Sequence, residues 1–282
     1  MPQEGRSLQL SDRVQVILGL NPSLMTGPGT NTYLVGKENP LLIDTGSGIP
    51  EYMDLLKEVL RERGVSGISH VLVTHGHPDH VGGVEALRRE FPALTVKKMA
   101  RSGEGRGPIA YLKDGDRIEV DGCTLTALHT PGHAIDHLCF YLEEELSLFT
   151  GDLIVGVGTV VIHQEAGGLK QYLASLERLL SLELERIYPG HGPVIHRPRE
   201  KIVEYIEHRQ MRENQILEAL DWGDVTIPEI VRRVYTDVIP ALHPVAERSV
   251  EAHLSKLEED HLVERWTEEG EICYRRLSLG TR

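Results

Sequence analysis

Four potential metal ligands lie within the six residues His75-Gly-His-Pro-Asp-His80, which we call the histidine loop. The apolar run Val71–Val73 ahead of the loop predicts a strand, and the stretch after it predicts a helix. Imidazole and carboxylate groups bind borderline cations such as zinc, and glycine and proline favour turns that let nearby side chains converge. The simpler alternative is that Asp79 caps the helix and the histidines lie on a surface loop. Three histidines and an aspartate at this density favour a metal site.

Three later segments also place a histidine or aspartate beside glycine at the end of an apolar run. They are Thr130-Pro-Gly-His133, Phe149-Thr-Gly-Asp152 and Tyr188-Pro-Gly-His191. Glycine permits a sharp turn at a strand end, which could bring the next side chain to a shared centre. Each segment alone is more simply a turn. Together with the histidine loop they supply seven candidate ligands, which are His75, His77, Asp79, His80, His133, Asp152 and His191.

Short apolar runs that alternate with amphipathic stretches must position these side chains. The amphipathic stretches predict helices over Pro50–Arg63, Val81–Glu90 and Leu169–Leu180. Strands first in hairpins and then in strand–helix units indicate an α/β fold with two sheets packed face to face and helices outside. The predicted strands are Val14–Leu18, Asn31–Val35, Leu41–Asp44, His70–Thr74, Arg117–Val120, Leu125–His129, Leu138–Leu142, Leu146–Thr150 and Arg186–Tyr188.

The sequence pattern changes near residue 195. Arg199–Leu220 has the pattern of a long helix, and Thr226 with Glu229 forms a capping-box signature for a second helix. Val250, Leu254 and Leu257 mark a third helix, and Val263–Trp266 with Ile272–Arg276 predict a terminal hairpin. We therefore expect a large domain over 1–198 and a small helical, winged-helix-like domain over 199–282.

Composition excludes several classes of protein. Hydrophobic residues make up 40% of the 282 residues, which is too many for a disordered chain, and the net charge of −13 opposes a protein that binds polyanions through its overall field. The three cysteines form no C-x-x-C pair, which argues against a disulfide framework. Without an apolar run of 18 residues or a signal-peptide pattern, we expect a soluble cytoplasmic protein with no membrane partner.

The seven candidate ligands as a set resemble those of the metallo-β-lactamase superfamily of hydrolases. The likeness covers Val14–Val194 and includes Gly29-Thr-Asn-Thr-Tyr-Leu-Val35 and Leu42-Ile-Asp-Thr-Gly46. Within the superfamily, Tyr188-Pro-Gly-His-Gly-Pro-Val-Ile-His196 and the stretch from His208 to Leu217 resemble the β-lactamase-like protein 2 group. The resemblance implies an αββα sandwich with a two-metal site between the sheets, followed by a winged-helix-like domain. It also makes the mitochondrial matrix an alternative location.

The resemblance further implies a role for each candidate ligand. His75, His77 and His133 would hold one ion, Asp79, His80 and His191 the other, and Asp152 would bridge them. Two zinc ions suit this set best, with manganese or iron as alternatives because carboxylates contribute. The ions would share a hydroxide that acts as the nucleophile, and Asp79 would be the catalytic residue that orients it and carries its proton. Asn31 and His163 are predicted substrate contacts.

The substrate stays open between two hydrolase activities. The group resemblance and the winged-helix-like domain favour an endoribonuclease that cuts single-stranded RNA, although residues 1–195 carry 17 basic against 25 acidic side chains. Basic clusters that could line an RNA path are Lys97-Lys98 with Arg101 and Arg106, Arg232-Arg233, and Arg275-Arg276. The alternative is a thioesterase or other acyl hydrolase, with weak β-lactamase side activity, which needs no polyanion track. A non-catalytic metal-bound scaffold is a third hypothesis, and the sequence assigns no oligomeric state.

Overall fold

The computed structural model describes residues 6–101, 109–223, 225–236 and 238–277. The chain forms two compact units. The first comprises 1–130, 136–159 and 181–199, and the second comprises 131–135, 160–180 and 200–282, each within the described ranges. The predicted domain boundary, between residues 198 and 199, falls at the start of a long helix. That the chain divides into domains at this point stays a prediction.

The first unit contains a mixed seven-stranded sheet whose strands follow one another in chain order. The first four strands pair antiparallel and the last four pair parallel. Parallel strands end at the same edge, so the loops after them meet there. The strands are β1 (Ser7–Gln9), β2 (Val14–Leu18), β3 (Asn31–Val35), β4 (Leu41–Ile43), β5 (His70–Leu72), β6 (Thr95–Met99) and β7 (Ile109–Leu112).

A second sheet of five strands completes the sandwich of the first unit. Its order is the reverse of the chain order, with the last two strands parallel and the others antiparallel. The strands are β8 (Arg117–Val120), β9 (Cys123–His129), β10 (Leu138–Leu142), β11 (Ser147–Gly151) and β12 (Arg186–Pro189).

The hydrophobic core of the first unit has two layers. Tyr33, Phe149 and Tyr188 pack together between the two sheets, with the rings of Tyr33 and Phe149 edge to face and their centroids 5.1 Å apart. Helices α1 (Pro50–Glu62), α2 (Pro78–Val81) and α3 (Val84–Glu90) follow the inner strands of the first sheet. Side chains of α1 and α3 are buried against the other face of that sheet. Burial of this apolar surface fixes the positions of the strand ends.

All nine predicted strands are present, with ends that differ by no more than two residues. The helix predicted near Val81–Glu90 is present as α3, but it begins at Val84, because Gly82 and Gly83 separate it from α2. A Cβ atom at Gly83 would lie 2.3 Å from the carbonyl oxygen of Thr45. This close backbone approach explains the interruption.

The second unit holds the winged-helix-like part of the chain. Its core is built from three helices and a small antiparallel sheet in the order β13-β15-β14. The predicted capping box is present, since the N–H of Thr226 donates to Oε2 of Glu229 over 2.8 Å. The elements are α4 (Gly168–Leu180), α5 (Pro198–Leu220), β13 (Val225–Thr226), α6 (Ile227–Val234), α7 (His243–Glu259), β14 (Val263–Glu268) and β15 (Glu271–Arg276). Among the described residues, no helix combines the length and apolar character needed to cross a membrane.

Candidate metal centre

Loops at the ends of three strands converge within the first unit. The histidine loop lies beyond β5, Asp152 follows β11 directly, and His191 follows β12. Nε2 of His80 lies 3.2 Å from Oδ1 of Asp152 and 3.3 Å from Oδ2 of Asp79. Nε2 of His191 lies 3.2 Å from Oδ2 of Asp79 and 3.3 Å from Oδ1 of Asp152. Two imidazoles therefore face the same two carboxylates.

These separations fit a shared metal ion. Two atoms bound tetrahedrally at about 2.0 Å from one ion lie roughly 3.3 Å apart. Asp79, His80 and His191 offer ligand atoms within 4.8 Å of one another, and so do His75, His77 and Asp152. Nitrogen and carboxylate oxygen donors of this kind suit zinc, iron or manganese. The first unit therefore brings together six of the seven candidate ligands in two neighbouring sets.

Asp44 sets the orientation of His80. Its Oδ2 accepts a 2.7 Å hydrogen bond from Nδ1 of His80, and its two oxygens also accept 2.8 Å hydrogen bonds from the backbone N–H and the hydroxyl of Thr74. Asp44 is only 2% exposed. Because the Nδ1 proton of His80 is held by Asp44, Nε2 is left as the donor atom that faces the centre.

Thr30 orients Asp79 in a similar way. The Thr30 hydroxyl donates to Oδ2 of Asp79 over 2.9 Å, and Thr30 accepts in turn from Nδ2 of Asn21. That same Asn21 nitrogen is also within hydrogen-bond distance of the Ser47 hydroxyl. Asp79 therefore belongs to a chain of hydrogen bonds that limits the rotation of its carboxylate.

Asn31 fixes the loop that carries His191. Its Nδ2 donates to the carbonyl oxygens of Pro189 over 3.0 Å and Gly192 over 2.8 Å, on either side of His191, and its backbone N–H donates to Gly190. The side chain is 9% exposed. These contacts make Asn31 a positioning residue, and its predicted contact with substrate stays a prediction.

The histidine loop is held from inside the sandwich. Nδ1 of His75 lies 3.0 Å from the hydroxyl of Thr74, and Nε2 of His75 lies 2.9 Å from Nδ1 of His77. The ring of buried His137 lies 5.2 Å from that of His75 and bonds to Thr130 through Nδ1. His75 is 1% exposed. His75 and His80 are thus buried. The alternative, in which the histidines lie on a simple surface loop, was wrong.

The charge state of the centre follows from burial and from the facing carboxylates. Burial lowers the pKa of His191, but hydrogen bonds to Asp152 and Asp79 outweigh it and raise that pKa to about 9. Burial also opposes the charged form of His80, yet Asp152 and Asp44 raise its pKa well above the usual value. The same contacts hold the pKa values of Asp79 and Asp152 low despite burial. A bound cation would take the place of these imidazole protons.

The two remaining predicted residues, His133 and His163, lie in the second unit. Nδ1 of His133 lies 3.1 Å from the carbonyl oxygen of Val161. His163 precedes a short 3₁₀ helix over Gln164–Ala166. Partial burial and the nearby charge of Arg248 lower the pKa of His163. A substrate contact by His163 stays a prediction.

The two buried cysteines offer no rival nucleophile. Cys123 and Cys139 are both buried, and burial raises the pKa of the Cys123 thiol to about 11. A thiol that is protonated at neutral pH is a poor nucleophile. The interpretation of Cys123 and Cys139 as structural is confirmed.

Residues in two of the three predicted basic clusters pair with carboxylates. Lys98 is 5% exposed with its Nζ 3.9 Å from the buried carboxylate of Asp136, and Nε of Arg101 lies 3.1 Å from the same carboxylate. Arg275 pairs with Glu264, and Arg276 with Asp221. Arg106 lies outside the described residues. These contacts offset part of the positive charge that an RNA track would use.

Sequence reasoning missed Thr30, Asn21 and the pairing of Arg101 with Asp136. Thr30 stands in the motif Gly29–Val35, so a polar side chain ahead of β3 was an available signal. Asn21 and Asp136 lie in loops with no periodic pattern. Their roles depend on folded contacts alone.

Comparison with known proteins decides the family. The sequence profile of the metallo-beta-lactamase superfamily matches residues 25–191, and that of the beta-lactamase associated winged helix domain matches 226–271. The chain belongs to the metallo-β-lactamase superfamily. It therefore has the αββα metallo-β-lactamase fold with a C-terminal winged-helix domain and is a member of a superfamily of metal-dependent hydrolases.

Two curated relatives within this superfamily show substantial identity. The chain is 41% identical to the beta-lactamase-like protein 2 homolog of Caenorhabditis elegans, covering 91% of this chain and 88% of the relative. It is 38% identical to an atrochrysone carboxyl ACP thioesterase of a Cryptosporiopsis species, covering 89% of this chain and 81% of the relative. The predicted likeness to the β-lactamase-like protein 2 group is confirmed.

Solved structures of superfamily members agree with the fold. A metallo-beta-lactamase family protein from Thermus thermophilus matches with a TM-score of 0.78 and 25% identity, covering 95% of this chain and 100% of that one. A protein named TTHA1623, solved in a di-iron-bound form, matches with a TM-score of 0.51 and 31% identity, covering 63% of this chain and 95% of its own. The His/Asp cluster and the family together indicate a dinuclear metal site.

Proposed function

We propose that this protein hydrolyses acyl thioesters at a centre of two metal ions. The observation that carries the proposal is the convergence of His80 and His191 on the carboxylates of Asp79 and Asp152. His75, His77 and His133 would hold one ion, Asp79, His80 and His191 the other, and Asp152 both.

The chain path supports the assignment of His133. It stands three residues after Thr130 and three before Asp136, and both of these belong to the first unit. The base of this short loop is closed, since the N–H of Thr130 donates to the carbonyl of His137 over 3.0 Å and the N–H of Leu138 donates to Thr74 over 2.7 Å. The short chain path between Thr130 and Asp136 supports the proposal that His133 is a ligand.

Zinc is the proposed metal, with iron as its competitor. The five imidazoles of the set suit zinc. The two carboxylates, and the di-iron form of TTHA1623, favour iron. Either ion, when bound, lowers the pKa of a water molecule towards about 7 and polarises the oxygen of the scissile group.

The chain's own residues then orient the reaction. Asp79 is half-buried and held at Oδ2 by Thr30, so its carboxylate is placed to orient the attacking water and to pass its proton to the leaving group. Asp44 and Asn31 keep His80 and His191 aimed at the centre. This division leaves Asp79 as the proposed catalytic residue.

Charge favours an acyl substrate over RNA. The basic residues at Lys98, Arg101, Arg275 and Arg276 face carboxylates instead of an open track. A relative with 38% identity is named an ACP thioesterase. A small acyl thioester would contact only the residues around the two ions and needs no extended basic surface. The same hydrolytic chemistry would give weak turnover of a β-lactam.

Cleavage of single-stranded RNA is the second candidate. The match to the winged helix domain over 226–271 supports it, since winged-helix folds belong to the helix-turn-helix class that often contacts nucleic acid. Two cations at one point could bind a phosphate even in an acidic protein.

One experiment separates these candidates. The protein is loaded with zinc, iron or manganese, its metal content is measured, and turnover is compared on an acyl-N-acetylcysteamine thioester, an unstructured labelled RNA and a chromogenic lactam. We expect the thioester to be hydrolysed fastest, and the variant Asp79→Asn to lose about 10²–10⁴-fold in kcat. The matched control is Asp54→Asn, an exposed aspartate on α1.

Two outcomes would contradict the proposal. Faster cleavage of RNA than of any thioester, abolished by Asp79→Asn, would establish the nuclease instead. Equal turnover by Asp79→Asn and Asp54→Asn on every substrate would remove Asp79 from the mechanism.

A further inference from the structure

A cavity of about 630 Å³ is lined by residues of the first unit. Its walls are largely apolar and include Leu8, Leu10, Val16, Leu18 and Val194. None of the seven candidate ligands lines it. A volume of this size is typical of a site for a small organic ligand.

The polar groups of the cavity are basic or neutral. Arg6, Arg186 and His196 line it, and no acidic side chain does so among the described residues. The Arg186 guanidinium interacts with the hydroxyl of Tyr188, and this contact is the main reason that the pKa of Arg186 is raised, followed by the charges of Glu145 and Glu185. An apolar chamber with cationic groups fits a molecule with an apolar tail and an anionic head.

Tyr188 points to the same conclusion. Its side chain is fully buried and lines the cavity, and its hydroxyl interacts with the guanidinium of Arg186. This contact holds the Arg186 guanidinium beside the cavity, where a ligand carboxylate would accept its hydrogen bonds.

We propose that this cavity binds a medium-chain fatty carboxylate, with the alkyl tail among Leu8, Leu10 and Leu18 and the carboxylate at Arg186. This proposal does not depend on the proposed thioester substrate, because no candidate metal ligand lines the cavity. The cavity nevertheless borders the metal centre, since Asn31 and Gly192 line the cavity and flank the loop of His191.

Calorimetric titration of the full-length protein with hexanoate, octanoate and decanoate tests the proposal. Each buried methylene contributes about 0.8 kcal/mol, so we expect about fourfold tighter binding for each carbon added. Decanol, which lacks the charge, is expected to bind at least tenfold more weakly than decanoate. Affinity that does not change with chain length, or equal binding of decanol, would overturn the proposal.

Variants locate the binding site. Arg186→Leu is expected to weaken decanoate binding about tenfold, with partial recovery in Arg186→Lys, and Leu18→Trp is expected to block the tail. Arg117→Leu is the matched control, because Arg117 is an exposed arginine on β8 that pairs with Glu143. Circular dichroism checks that each variant is folded. Unchanged affinity in folded Arg186→Leu would place the ligand elsewhere and overturn the proposal.

The alternative occupant is the chain's own N-terminal segment, residues 1–5, which includes Glu4. A variant without residues 2–5 distinguishes the two. Binding of decanoate by the full chain supports the proposal. Binding only after the deletion would show that the segment fills the cavity and would overturn it.

Discussion

Oδ2 of Asp44 lies 2.7 Å from Nδ1 of His80, and both side chains are almost fully buried. The backbone of Asp44 has a φ of 59°, a left-handed conformation that is uncommon for a residue other than glycine. Asp44 also accepts the N–H of Thr74, immediately before the histidine loop. One carboxylate thus aligns both the loop and a candidate ligand within it.

Substitution of Asp44 by asparagine is expected to weaken metal binding about 10–100-fold. The amide keeps the size of the carboxylate but removes the charge that holds the Nδ1 proton of His80. Competition with a chromogenic chelator measures the affinity, and metal analysis gives the number of ions retained. Asp54→Asn serves as the control and should bind like the wild-type protein. Equal affinity in the two variants would show that the contact between Asp44 and His80 has no role in metal binding.

Addition of metal to the chelated protein is expected to stabilise it. An ion that binds only the folded state raises the free energy of unfolding by about 2.7 kcal/mol when its free concentration is 100 times Kd. Thermal melts with and without zinc, iron and manganese measure the effect. Asp152→Asn, which removes the carboxylate proposed to contact both ions, should show a smaller shift. A melting temperature independent of every metal would count against the centre.

Replacement of Gly151 by alanine is expected to destabilise the protein by more than about 2 kcal/mol, because overpacking adds to the cost of a left-handed backbone. Gly151 has a φ of 45°, and a Cβ atom there would lie 2.7 Å from the hydroxyl of Thr74 and 2.9 Å from Nε2 of His137. Gly158→Ala is the matched control, because Gly158 has a φ of 75° but a Cβ atom at that position would meet nothing within 4 Å. Urea unfolding compares them, and equal losses would contradict the steric explanation.

The second unit is expected to lose stability in acid because of His253. Burial, followed by the charges of Arg209 and Lys256, lowers the pKa of His253 to about 3. In the unfolded chain that pKa returns to about 6.5, so the unfolded state takes up the proton first. The contribution is therefore complete above about pH 6.5 and falls by about 1.4 kcal/mol per pH unit as the pH drops towards 3.

Fluorescence of Trp222 and Trp266 reports this unit selectively, since the chain's two tryptophans both belong to it. Urea midpoints between pH 7 and pH 4 should decline less steeply in His253→Gln than in the wild-type protein. His261→Asn, at an exposed histidine with a left-handed backbone, should keep the wild-type slope. Identical slopes in all three proteins would refute the role of His253.

The sequence predicted strands well where apolar residues were dense. β3 and β10 have the bounds that were predicted, because β3 contains the apolar run Tyr33–Val35 and all five residues of β10 are apolar. β6 was missed because Lys97 and Lys98 break its pattern, and the burial of Lys98 depends on Asp136, a residue distant in sequence. β1 and β7 are short edge strands, whose pairing is set by their neighbours more than by their own residues.

The candidate site was more predictable than the elements around it. Motifs with glycine beside histidine or aspartate pointed to His80, Asp152 and His191, and the structure brings these together. The residues that orient them could not be found in the same way, because Thr30, Asn21 and Asn31 act through hydrogen bonds to parts of the chain far away. The spacing of histidines and aspartates in the sequence identifies the donors of a metal site. The residues that orient these donors by hydrogen bonds are set by tertiary structure.

Asp79 and His80 extend from the first sheet, whereas Asp152 and His191 extend from the second, and Asn31 of β3 bonds to both carbonyls around His191. An ion held by residues of both sheets would join them at this end as a cross-link does. If dissociation of that ion requires the two sheets to separate locally, the rate of metal loss to excess chelator measures the rate of that separation. Slowing of that rate under osmolyte, and acceleration in Asn31→Ala, would be the kinetic signature of this coupling.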